Sequence, residues 1–200
     1  MPNWKTHLEI SKRLNEKYKF NEKDYELFLI GSILPDINNS YVVTNISKKI
    51  SHDITHFRNK EIPSYILFYE KYKMEIDSHN PLFVGYVTHL FTDYMWNNNF
   101  YTSIKKRKLE ETDKEKLRIM KQSDFKIYNN KFMDDFIDIK YNSYESILEE
   151  IKKISEVDII KKDIETVCDA LKKKLIYEAS YQFYTEKELD ELLEKTVNEL

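Results

Sequence analysis

The stretch at 80–96, NPLFVGYVTHLFTDYMW, is the most apolar run in an otherwise charged chain, and its reading decides the fold. Asn80 is a good helix cap and Pro81 suits the first helical position, so a helix starts here. Its apolar residues leave little polar surface before Asn97, so the helix is expected to be buried. His89 and Asp93, four residues apart, then share one helix face. Burying a neutral polar group without partners costs about 2–7 kcal/mol, and a charge costs more. A metal ion would satisfy both side chains. Gly85, one turn before His89 on the same face, leaves room for another segment or a ligand to come close.

Outward from this helix, composition points the same way. The 200 residues include only 2 Gly and 4 Pro, with abundant Leu, Ile, Lys and Glu, which predicts an all-α chain and argues against a sheet with many tight turns. Residues 1–200 are expected to form a single all-helical domain with one core: a metal-site core at 1–100 and a helical C-terminal extension at 101–200. A formal charge of −3 and a pI near 6.0 give no electrostatic reason to expect nucleic acid as a partner. The single cysteine, Cys168, has no partner for an intramolecular disulfide and reads as a packed thiol in a reducing compartment. The first residues lack an apolar core and a small-residue cleavage site. No run reaches membrane-spanning length without His or Asp, so a cytoplasmic protein without a transmembrane segment is expected.

In chain order, Thr6 and Glu9 form a capping-box pattern predicting a first helix to about residue 18, with His7 in its first turn. A second helix, 23–33, is expected to stop at LPD, leaving Asp36 just past its end. Residues 38–51 read as a loop. SHDITHFRN then sets His52 and His56 four apart, with Asp53 beside the first. Further helices are expected at 61–76, 112–123, 130–138, 143–154 and 157–177, and Thr185 with Glu188 opens a terminal helix as a second capping box. The basic run at 105–108 and the acidic stretch after it read as solvated surface.

All five histidines fall within the first 89 residues. His79 sits just before the helix start, in a capping or surface position. The remaining candidates, His7, Asp36, His52, His56, His89 and Asp93, form a mixed imidazole and carboxylate set without thiolate, which suits Zn²⁺, Fe or Mn²⁺ rather than a structural zinc finger. Such a site with an open position suits hydrolysis, because the ion brings the pKa of its water to about 7 and neutralises phosphate oxygens. One or two ions are accommodated, with Asp93 the natural bridge.

Order and context give these residues their specificity: WxxH at Trp4 and His7, GxxLPD at 31–36, THF at 55–57, and GYxxHLxxD at 85–93. In that arrangement the chain resembles the zinc-dependent phospholipase C family, whose fold is shared with S1/P1-type nucleases. The resemblance spans roughly residues 1–96. It implies an all-α bundle with a metal cluster at the bottom of a cleft, and phosphodiester hydrolysis at a phospholipid head group or related phosphate ester. It also implies zinc ligation by His89 and Asp93, with Asp93 bridging, by Asp36 as ligand or general base, by His56 rather than His52, and by His7. Secreted members of the family ligate metal through the amino group of a mature N-terminal Trp, and here Trp4 is internal and expected to pack. They also hold a third zinc through later histidines that this chain lacks, which leaves a one- or two-ion site.

Two other readings compete. An HD-type phosphohydrolase would use the adjacent His52–Asp53 pair and make Asp36 dispensable. A non-catalytic helical protein would keep the metal as a staple and use its charged C-terminal half to bind a partner.

Overall fold

The computed structural model describes residues 3–39, 43–132, 137–173 and 179–200, and among these the chain is all helical, with no strand. Eleven α-helices follow one another: α1 Trp4–Tyr18, α2 Glu22–Gly31, α3 Leu34–Ile37, α4 His52–Thr55, α5 Ser64–Lys71, α6 Lys73–Asp77, α7 Pro81–Lys106, α8 Lys114–Asn129, α9 Tyr144–Ile151, α10 Lys161–Lys172 and α11 Glu186–Glu199. None of them is long and apolar enough to cross a membrane.

The central element is α7. The Asn80 side chain accepts from the Leu82 N–H and Pro81 opens the first turn, as the sequence suggests. The helix runs for 26 residues, about 39 Å, well past Trp96. Lys105 and Lys106 in its last turn suit the negative end of the helix dipole. Helix α2 crosses α7 backbone to backbone, and both of the chain's glycines lie at the crossing. A Cβ on Gly31 would stand 2.1 Å from the Leu82 carbonyl oxygen, and one on Gly85 would stand 2.3 Å from the Phe28 carbonyl oxygen. Only glycine lets the two helices approach this closely.

Two apolar clusters pack along this axis. One joins Trp4, Leu34, Phe83 and Tyr86 to Ile147, Ile164 and Val167 of α9 and α10. The other joins Ile10, Leu14, Phe28, Val84 and Trp96 to Phe125 of α8 and Leu189 of α11. The expected single core is therefore two clusters, and both draw on the first hundred residues and the second. The C-terminal half is woven into the scaffold, not appended to it.

Several boundaries differ from expectation for identifiable reasons. Helix α1 starts at Trp4 with Asn3 in the cap position, so Thr6 and Glu9 lie inside it and form no capping box; Glu9 instead pairs with Arg13 at 2.6 Å. Asp36 lies within the one-turn α3, whose second residue is Pro35, not in a non-helical tail. The 61–76 segment begins only after Pro63 and breaks at Tyr72, whose hydroxyl is drawn into hydrogen bonds with Glu156 and the Ser155 N–H. Helix α10 starts at Lys161 because the Asp163 carboxylate takes the Ile160 N–H and the Ser47 N–H. Of the helix expected at 130–138, 133–136 lie outside the described residues; 130–132 form a 3-10 turn, and 137–138 are not helical. Residue 177, the expected end of the last but one helix, also lies outside them. The Thr185–Glu188 capping box forms as read. Cys168 is buried and apolar surroundings push its thiol up to about 11, which fits a packed thiol.

Candidate metal centre

Four helices bring the six candidate residues to one place. His7 comes from α1, Asp36 from α3, His52 from α4 and His56 from its C-terminal end, and His89 and Asp93 from α7. Their donor atoms form two groups, His7 with His89 and Asp93, and Asp36 with His52 and His56, each within 4.8 Å. All are buried except His52, which is partly exposed. The two groups adjoin. His56 Nε2 lies 3.4 Å from Asp36 Oδ1, 3.5 Å from Asp93 Oδ2 and 3.2 Å from His89 Nε2. His89 Nε2 is 3.6 Å from Asp93 Oδ2, and His7 Nε2 is 3.6 Å from Asp93 Oδ1.

The glycine crossing sets the orientation of His89. Because α2 touches α7, His89 Nδ1 reaches the Ser32 carbonyl just beyond α2, at 2.8 Å. A carbonyl only accepts, so Nδ1 carries the proton and Nε2 turns to the cluster. On the opposite wall His56 Nδ1 meets the Thr55 hydroxyl at 3.0 Å, and the Tyr86 hydroxyl donates to the Thr55 carbonyl, tying α4 to α7. Ring stacking fixes the remaining planes: His7 on His89 at 4.0 Å and His52 on His56 at 3.6 Å between centroids. Asp36 is held by the Trp4 indole N–H at 3.1 Å on one oxygen and by the Asn39 amide at 2.9 Å on the other.

Spacing and hydrogen bonding test whether these residues suit a cation. Direct hydrogen bonds from nitrogen to oxygen span about 2.7–3.2 Å, whereas two atoms on one tetrahedral zinc, each at about 2.0–2.1 Å, stand about 3.3 Å apart. Four of the five imidazole to carboxylate distances, 3.4–3.6 Å, lie near the second spacing, and the fifth, His89 Nε2 to Asp36 Oδ2, is 3.9 Å. Both Asp93 oxygens and both His7 ring nitrogens are buried without a hydrogen-bond partner among the described residues. A buried carboxylate left this way is costly unless a cation meets it. The donor set and its spacing fit a divalent ion of the zinc, iron or manganese kind.

Electrostatics agree. Burial alone would raise Asp36 and Asp93, but His89 and its neighbouring imidazoles hold both well below the usual carboxylate range. Burial, reinforced by His89, drops His7 to about 4, and burial with His56 does the same for His52. For His89 burial pulls downward, but Asp93 and Asp36 outweigh it and raise its pKa. The pocket thus keeps its carboxylates ionised, keeps two imidazoles free of protons, and draws positive charge to His89 Nε2. Such a group could hold a cation in place of those protons.

Asp53 lies outside the cluster, exposed and paired with Arg58 at 3.2 Å. His79, exposed and at positive φ, turns its ring to the Asp77 carbonyl. Sequence reading missed four supporting groups: the Trp4 indole, the Asn39 amide, the Ser32 carbonyl and the Thr55 hydroxyl. Two had a signal, since Trp4 stands one turn before His7 and Asn39 three residues after Asp36. Trp4 does pack, as expected, but its indole edge also binds Asp36.

The cluster is not sealed. Asp93, His52 and His56 form part of the wall of an open cleft of about 550 Å³ between α7 and the segment 58–64. Compared with protein-family models, curated proteins and solved structures, the chain gives no match.

Proposed function

We propose that this chain is a metal-dependent hydrolase of phosphate esters, of the phospholipase C type, with its ion or ions held by His7, His89, Asp93, Asp36, His56 and His52. The observation that carries this reading is Asp93: two buried, unpartnered oxygens ringed by three imidazole nitrogens at 3.5–3.6 Å, on the wall of an open cleft. A divalent ion bound there supplies Lewis acidity toward a phosphoryl oxygen and an acidified water. The chain's own residues do the rest. Asp93 lies within reach of both donor groups and would contribute to holding an ion at either. Asp36, kept ionised and aimed by Trp4 and Asn39, has accepting capacity left for an ion or for a proton from the attacking water. Ser32 and Thr55 fix the rings of His89 and His56, the support metal-binding imidazoles need.

The test is elemental analysis of purified protein followed by turnover of bis-p-nitrophenyl phosphate after loading with zinc or manganese. One or two ions per chain and turnover lost in His89→Ala are expected. Metal without turnover above that variant would leave a non-catalytic metal staple in its place, and absence of metal would remove both. Asp36→Ala should lose metal while Asp53→Ala keeps it; the reverse would favour the HD-type arrangement, for which the exposed, Arg58-paired Asp53 gives no support.

A further inference from the structure

The cleft that opens on Asp93 has a chemical character of its own. Asn97 is one turn beyond Asp93 on α7, so it continues the column of His89 and Asp93 into the cleft wall. Its amide, the neighbouring Asn98 amide and the Tyr94 hydroxyl all border this space, and none has a hydrogen-bond partner among the described residues. Lys60 faces them across the cleft without an ion pair among those residues. Aliphatic contributions come from Ile62, Pro63 and Leu90 alone. Burying an acyl chain gains about 0.8 kcal/mol for each methylene removed from water, and these three residues cannot cover two such chains. Amides and a phenol instead offer hydroxyl groups donors and acceptors that an acyl chain cannot use.

We infer that the cleft selects phosphate esters of small, hydroxyl-bearing, water-soluble alcohols of glycerol or sugar size over lipid esters, with Asn97 as the principal specificity determinant. The assignment rests on the hydrolase reading. In the reaction a water oxygen bonds to phosphorus and the bond from phosphorus to one alcohol oxygen breaks. One water proton ends on that alcohol, leaving a phosphate monoester and a free polyol. A volume near 550 Å³ lies within the range of small-ligand sites.

The experiment compares kcat/KM of the metal-loaded full chain for three diesters: glycerophosphoglycerol, dihexanoylphosphatidylcholine below its micelle concentration, and bis-p-nitrophenyl phosphate. At least a tenfold preference for glycerophosphoglycerol over the lipid is expected. Asn97→Leu, at a partly exposed position, should collapse that ratio at least fivefold, chiefly through KM, while Asn97→Gln recovers part of it. Equal or faster lipid cleavage, or a ratio unmoved by Asn97→Leu, would overturn the inference. If no ester turns over, bis-p-nitrophenyl phosphate included, the hydrolase reading fails, and binding decides the cleft separately. Glycerol 2-phosphate should then raise the melting temperature of the metal-loaded protein more than dihexanoylphosphatidic acid does, and Asn97→Leu should erase the difference. The absence of such a difference overturns the inference.

Discussion

Asp93 and Asp124 are both buried carboxylates on long helices, and the chain treats them in opposite ways. Asp124 on α8 accepts the backbone N–H groups of Gln182, Phe183 and Tyr184, each at 2.7 Å, and so straps the 182–184 segment onto its helix. Asp163 and Glu26 are satisfied likewise, by the N–H groups of Ser47 and Ile160 and of Lys140 and Asn142. Among the described residues Asp93 has no such donor; its neighbours are imidazoles at spacings too wide for good hydrogen bonds. A buried carboxylate that the backbone satisfies is a fastening. One left open among histidines is a binding group, and the difference lies in what surrounds it.

The sharpest way to break this comparison is to remove each carboxylate. Asp93→Asn should weaken zinc affinity by at least about 100-fold, since outer-shell changes alone commonly cost 10–100-fold. It should abolish the rise in melting temperature that zinc gives the wild type, a linkage worth about 2.7 kcal/mol at 100 times Kd. Asp124→Ala should instead destabilise the metal-free protein by about 3 kcal/mol or more, because three buried N–H groups lose their acceptor, while the zinc-induced rise persists. Calorimetry with and without zinc reads both; a zinc response lost in Asp124→Ala or kept in Asp93→Asn would erase the distinction.

Gly85→Ala should cost about 3 kcal/mol, the upper end of overpacking, by forcing α2 off α7. It should weaken zinc binding as well, since the Ser32 carbonyl moves with α2. Unfolding in urea and zinc titration would show the two losses together. Trp4→Phe, which removes the donor to Asp36 and also shrinks a buried ring, should lower zinc affinity about tenfold at a stability cost of about 1–2 kcal/mol.

The smallest effect is on pH. In the metal-free protein His7 and His52 stay neutral down to about 4, whereas in the unfolded chain they take protons near 6.5. Stability therefore falls as pH drops from 6.5 toward 4. His89 has the opposite sign: its folded pKa is raised, so its contribution is complete below 6.5 and is lost as pH climbs through the folded value. Melting temperature of the metal-free chain should peak near pH 6.5, and His89→Gln should flatten the alkaline side.

Part of the candidate cluster was legible because His89 and Asp93 share one face of an apolar helix, with Gly85 one turn before them. Bringing in Asp36 and His56 took the order of the motifs. What stayed hidden was set by distant partners. The break at Tyr72 depends on Ser155 and Glu156, and the late start of α10 depends on Asp163 meeting Ser47. The interleaving of α9 and α10 with the first hundred residues has no local signature, because an amphipathic helix does not record which core it faces.

The glycine crossing has a mechanical consequence. The wall carrying His89 and Asp93 is braced by peptide against peptide, which has no rotamers to yield, whereas the facing wall rests on the single turn of α4, held to α7 by the Tyr86 hydroxyl, and on a partly exposed His52. One jaw of the vise is set by main chain against main chain and the other by side-chain contacts. Retuning the centre for a larger ion should therefore begin with the four residues of α4, leaving α7 untouched.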